Sequence, residues 1–206
     1  MSPRPLCLVA LSLLGCVSPG PGAASSSDQQ NAKRIIATCN GRNISQEDVQ
    51  ESSLGALIIG PLFDQYRSDK RITASREEVD SCLRCMLSVD DAPASTPDVQ
   101  AADEETREFA TNMVLDWKTS KQMHADYGGV VVFQQLNPLE PVGAYLAFLR
   151  EQESRGTFCI HDAESAAEFW HYFVRDHGSW TVAPEDVDYS VPWWEKTRTA
   201  SRGAGG

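Results

Sequence analysis

Between Val99 and Tyr127, Phe109, Ala110, Met113, Val114, Trp117, Ser120, His124 and Tyr127 fall on one side of a 3.6-residue period, and Gly128-Gly129 follows as a stop signal. A strand buries alternate residues, so this spacing predicts a long helix over 99–127 packed against other elements. The same logic extends along the chain. Ser45 is placed to cap a helix with Asp48 at its third position, and Ile44 and Val49 occupy the two places of a hydrophobic staple. That helix is expected to run through Leu54, Leu57 and Ile58 to Gly60-Pro61, where proline's missing donor predicts a kink or break before Leu62-Phe63-Asp64-Gln65-Tyr66. Ser75 and Glu78 form a capping-box pattern ahead of Val79, Leu83, Met86 and Leu87. Glu140-Pro141 opens a helix with Tyr145, Phe148 and Leu149 inward, ending near Gly156, and Asp162 caps another reaching His177-Gly178.

Strand signals are short. The run 34–39 reads as a strand closed by the turn dipeptide Asn40-Gly41, Val130 to Phe133 as a short buried strand, and Phe158-Cys159-Ile160 as a brief extended piece. Residues 89–98, with Pro93 and Pro97, read as a loop, and Trp180 to Trp194 as irregular and aromatic. The fold class expected is therefore mainly α, a single helical domain with a few short β-strands.

The first residues do not belong to that domain. Arg4 precedes the apolar run Leu6 to Leu14, which is too short for a bilayer span of about 20 residues but suits the core of a signal peptide. Leu13-Leu14-Gly15-Cys16 resembles the lipobox of bacterial lipoproteins, which makes Cys16 the expected lipidation site. Leu14 is an unusual occupant of that motif, and cleavage after Gly22-Ala23-Ala24 is the alternative. The organisation expected is a signal segment over 1–16, a flexible tether over 17–33, a helical region over 34–127, a helical extension over 128–195 packed on it, and a disordered tail over 196–206. Such a chain is exported to a bacterial envelope and held to a membrane by a lipid anchor.

Charge narrows the partners. Asp and Glu number 29 against 18 Lys and Arg, which disfavours a nucleic-acid backbone as ligand. No cofactor and no small-molecule substrate are expected. Beyond Cys7 and Cys16, the cysteines are Cys39, Cys82, Cys85 and Cys159, disulfide candidates with three possible connectivities in an oxidising compartment. Cys82-Leu83-Arg84-Cys85 has the spacing of a redox pair, but it falls inside the helix after Ser75, away from the N-terminal dipole that stabilises a thiolate. His161, Glu164, Glu168 and His171 share one helix face, and Glu168 to His171 matches the Glu-x-x-His unit of di-iron bundles, a centre that needs that unit twice plus two more Glu. The opposite face, Ala163, Ala166, Ala167, Trp170, Phe173 and Val174, is expected to be the buried one, leaving the His/Glu face solvated. His124 and Trp117 lie in the apolar stripe of the long helix, as a buried polar position or the lining of a groove.

Ile35-Ile36-Ala37, Asn40-Gly41, Ile44-Ser45 with Asp48, Leu57-Ile58-Ile59, Asp64-Gln65 and Ile72-Thr73-Ala74-Ser75-Arg76-Glu77-Glu78-Val79-Asp80 carry a family resemblance. Over about residues 34–127 the chain resembles the N-terminal domain of SurA-type periplasmic chaperones, a peptidyl-prolyl isomerase family. The resemblance implies a helical domain that binds unfolded or extended polypeptide clients through apolar grooves. A parvulin-type domain is not recognisable in residues 128–206, so isomerase activity is the alternative, beside a structural lipoprotein with a dedicated partner.

Overall fold

The computed structural model describes residues 34–88, 98–135 and 138–196; Cys16, the signal segment, the tether, most of the 89–98 loop and nearly all of the tail lie outside the described residues. Strand β1 (Ile35–Cys39) turns at Asn40-Gly41 and returns as β2 (Arg42–Ser45), pairing Ala37 with Ile44 and Cys39 with Arg42. Asn40 (φ 51°) and Gly41 (φ 75°) both take the left-handed conformation that a two-residue hairpin turn requires. Strand β3 (Phe158–Ile160) pairs antiparallel on the other edge of β1, so the small antiparallel sheet runs β2-β1-β3.

The helices are α1 (Gln46–Glu51), α2 (Leu54–Lys70), α3 (Arg76–Leu87), α4 (Glu104–Tyr127), α5 (Val142–Ser154) and α6 (Ala163–Val174). Ser45 and Ser75 each form the reciprocal capping box that their sequences announce, with Asp48 and Glu78 as partners. Lys118 Nζ on α4 also reaches Glu78 Oε1 at 2.9 Å, tying the entry of α3 to α4. Ser75→Ala removes the cap and is expected to cost roughly 0.5–2 kcal/mol, read as a lowered urea midpoint with an unchanged m-value.

Several elements depart from expectation. The first helix breaks at Ser52, which is extended (φ −147°, ψ 146°), and Ser53 caps a new helix by accepting the Ala56 N–H. Pro61 then sits inside α2 without ending it. Gly60 has no Cβ to clash with the proline ring, and Pro61 is exposed, so only one backbone bond is forfeited. The long helix starts at Glu104 rather than Val99, because Asp103 accepts the Thr106 N–H; Val99–Ala101 form a separate 3₁₀ turn. Val130 to Phe133 is not a strand: Val132 makes isolated bridges to Glu140 and Thr181, and only Val131 and Val132 are buried. On α6 the buried face is Phe169, Trp170 and Phe173, whereas Ala163, Ala167 and Val174 are exposed.

Apolar burial collects in two centres. In the first, β1, α2, α5, β3 and α6 contribute Ile36, Ile58, Leu62, Phe148, Leu149, Phe158 and Trp170. In the second, α3 and α4 place Leu83, Val114 and Trp117 against Tyr189 and Trp194. Residues 128–195 therefore supply a sheet strand and part of both cores.

Candidate functional site

The face of α4 that carries Trp117 and His124 is covered. Tyr189 lies 5.3 Å and Trp194 6.1 Å from the Trp117 ring, leaving Trp117 3% exposed. His124 is half-buried with its ring 5.2 Å from Tyr189. Tyr189 is anchored in turn, since its hydroxyl donates to the Leu139 carbonyl at 2.8 Å. Trp117 and His124 thus pack against the C-terminal segment and do not line an open groove.

All four described cysteines are thiols. Cys39 is buried and Cys159 exposed, and on their adjacent strands Cys159 faces Thr38 rather than Cys39. Burial pushes the Cys82 thiol up to about 12, with the nearby Cys85 adding to the shift. A thiol held that high carries almost no thiolate at neutral pH, the reverse of what exchange chemistry needs. His161, Glu164, Glu168 and His171 are all exposed, and among the described residues no three His, Cys, Asp or Glu side chains gather to hold a metal.

Among the described residues, a groove and a cleft are open to solvent. The first is a groove of about 500 Å³ between α6 and the wall made by α1 and the start of α2, where Val49, Leu54 and Ile59 line it with Phe169, Tyr172 and Phe173. Both α2 and α6 enter it from firm caps. Ser53 starts α2, and Asp162 starts α6 by accepting the Ser165 N–H at 2.9 Å and hydroxyl at 2.8 Å. Those bonds, helped by the ion pair with Arg34, hold the Asp162 carboxyl below the usual carboxylate range. Gly55 lies on this wall, and a Cβ there would meet only Ile59 and Ser53, at 3.9 Å.

The second surface is a cleft of about 810 Å³ beside residues 131–135. Val132 exchanges backbone bonds with Glu140 (2.8 and 2.9 Å), and Phe133 N–H donates to the Trp180 carbonyl at 2.8 Å. These bonds set the Phe133 and Trp180 rings nearly parallel (13°) with centroids 6.2 Å apart, both well exposed. Below them the Tyr172 hydroxyl donates to Glu140 Oε2 at 2.5 Å, while Gln134 Nε2 donates to that hydroxyl at 3.0 Å. Burial raises the Glu140 carboxyl above its ordinary value, although the Tyr172 bond opposes the shift.

A raised carboxyl binds its proton more tightly folded than unfolded, so Glu140 opposes folding increasingly as pH rises through the carboxylate range. Glu140→Gln keeps an acceptor for Tyr172 and removes the half-buried charge. It is expected to raise the urea midpoint at neutral pH and to lose that advantage in acid, where the native side chain is protonated as well.

Comparison with protein-family models, with curated proteins and with solved structures finds no match to this chain. Among the described residues, no helix is long and apolar enough to cross a membrane. Phe133, Trp180 and Glu140 stand out only in three dimensions. Their sequence traces, an apolar run after a glycine pair and an isolated tryptophan, also fit plain core residues.

Proposed function

We propose that this is an exported, lipid-anchored binding module that holds extended or unfolded polypeptide, with the groove between α2 and α6 as its binding surface. The observation that carries the reading is the open apolar groove itself, because the other groove expected on the helical region is filled by Tyr189 and Trp194. Each large apolar side chain a client buries there gains about 1.5–3 kcal/mol. Two such side chains give weak, sequence-tolerant capture, which suits many clients better than one. The leader supports the setting: a nine-residue run from Leu6 to Leu14 ends at Gly15-Cys16, as a lipobox would. The resemblance over 34–127 points to the same activity.

The test is suppression of aggregation of an unfolded outer-membrane protein by the purified protein. Suppression is expected at several-fold excess, and no effect would remove the proposal. Gly55→Phe adds a large side chain on the groove wall, where its Cβ meets nothing closer than 3.9 Å, and is expected to abolish suppression while the urea midpoint holds. For the anchor, Cys16→Ser is expected to lose labelling by a palmitate analogue; labelling equal to the parent would contradict lipidation.

A further inference from the structure

The cleft beside residues 131–135 has chemistry unlike that of the apolar groove. We propose that it is a second binding site, for a neutral or N-acetylated pyranose unit of a glycan. Phe133 is 44% and Trp180 58% exposed, yet their stacked rings are held by a backbone bond and by paired segments on both sides. Rigid aromatic rings at the mouth of a cleft offer a flat apolar face, and the axial C–H groups of a pyranose present a matching one.

The rest of the cleft fits the hydroxyls of such a ring. Gln134 and Gln135 carry amides that donate and accept, Glu140 accepts, and Arg175 donates, all lining the same volume. A sugar hydroxyl both donates and accepts, so a mixed lining of this kind satisfies it where a purely acidic or basic lining would not. Formal charge excludes an anion. Asp116, Glu140 and Asp176 outnumber Arg175, while Asp116 is already engaged by Arg67 at 2.7 Å and Glu140 by the Tyr172 hydroxyl. The volume of about 810 Å³ lies within the range of small-molecule sites and exceeds what one ring fills. A short oligosaccharide, rather than a lone sugar, is therefore the expected ligand.

Tyr172 lines the apolar groove, and its hydroxyl is also bonded to Glu140 and Gln134 of the cleft. Phe133 and Trp180 line the cleft and not the groove, so substitution there separates the two activities. The intact protein is titrated with the tetrasaccharides of N-acetylglucosamine and of β-linked glucose, following tryptophan emission and saturation transfer from aromatic protons to sugar C–H protons. Saturable binding of at least one is expected, with transfer strongest to one face of a ring. Trp180→Ala removes an exposed side chain and is expected to weaken it on the order of tenfold, with far-ultraviolet dichroism unchanged. Phe133→Leu, which keeps the apolar bulk but loses the ring, is expected to weaken it as well. Gly55→Phe, at the other site, is expected to leave it unchanged. Absence of saturable binding for both glycans overturns the proposal. So does binding that survives Trp180→Ala and Phe133→Leu, or occupation of this cleft by a Lys- or Arg-bearing peptide instead.

Discussion

Trp194→Ala is expected to lower the unfolding free energy by roughly 3–5 kcal/mol, a large share of the 5–15 kcal/mol typical of a domain. Trp194 is 1% exposed and closes the second core over Trp117, with Trp193 packed edge-on at 5.5 Å. Losing its ring leaves a cavity that Val114, Leu83 and Tyr189 cannot close without moving the C-terminal segment. Urea denaturation checks the magnitude, and the emission of Trp117 should move to the red in the native state as water reaches it. Trp180→Ala deletes a side chain of the same size at an exposed site, so its effect on the midpoint should stay within about 0.5 kcal/mol. A small effect of Trp194→Ala would mean that the segment after 187 is only loosely applied to α4.

Gly143→Ala is the other change with a large expected effect. A Cβ at Gly143 would lie 2.4 Å from Val130 N and 2.8 Å from Gly129 Cα, so backbone meets backbone and no side-chain rotation relieves the clash. Gly129, at φ +91°, is equally constrained, since its own Cβ would lie 2.9 Å from Gly143 Cα. The contact carries a bond from Gly143 N–H to the Val130 carbonyl at 2.9 Å, which locks the first turn of α5 to the chain leaving α4. Alanine forces the two apart, at an expected cost of about 2–3 kcal/mol by overpacking. The measurement is again the urea midpoint, with Gly55→Ala as a control whose added methyl meets nothing closer than 3.9 Å. If glycan binding is measurable, Gly143→Ala should weaken it too, because Val131 and Val132 position Phe133 from the same segment.

What the sequence reveals here follows the range of the interactions involved. Capping is decided within four residues, and Ser45, Ser75 and Asp162 all cap where their neighbours imply. The Asn40-Gly41 turn is equally local, since positive φ at both positions is a property of those two residues. The failures are also instructive. Helix propensity alone cannot place the break at Ser52-Ser53, because an uninterrupted helix through Leu54 would satisfy the same apolar spacing; Ser53 wins by capping α2. Val130 to Phe133 looks like a strand because its side chains suit one, but its neighbours Glu140 and Thr181 offer single bridges and no ladder. On α6 the helical period marks Ala163, Ala167 and Val174 as inward, yet the aromatic trio Phe169, Trp170 and Phe173 claims the core and turns them out.

The candidate sites were the least legible part. Trp117 reads as groove or core with equal ease until Tyr189 and Trp194, from far along the chain, are seen to cover it. Likewise the groove joins residues near 55 to residues near 170, and the cleft joins Phe133 to Trp180, by contacts that no local pattern encodes. The cysteines show the converse. The spacing of Cys82 and Cys85 invites redox chemistry, but the helix that carries Cys82 buries its thiol and raises it.

Photocrosslinking addresses polypeptide capture at the groove most directly. A photoreactive residue is placed at exposed Glu168, on the groove wall, and in a second protein at exposed Lys121 on α4, and each is illuminated with an unfolded outer-membrane protein. Saturable crosslinking from position 168, abolished by Gly55→Phe and absent from position 121, is the expected result. Equal crosslinking from both positions, or none from position 168, would contradict it.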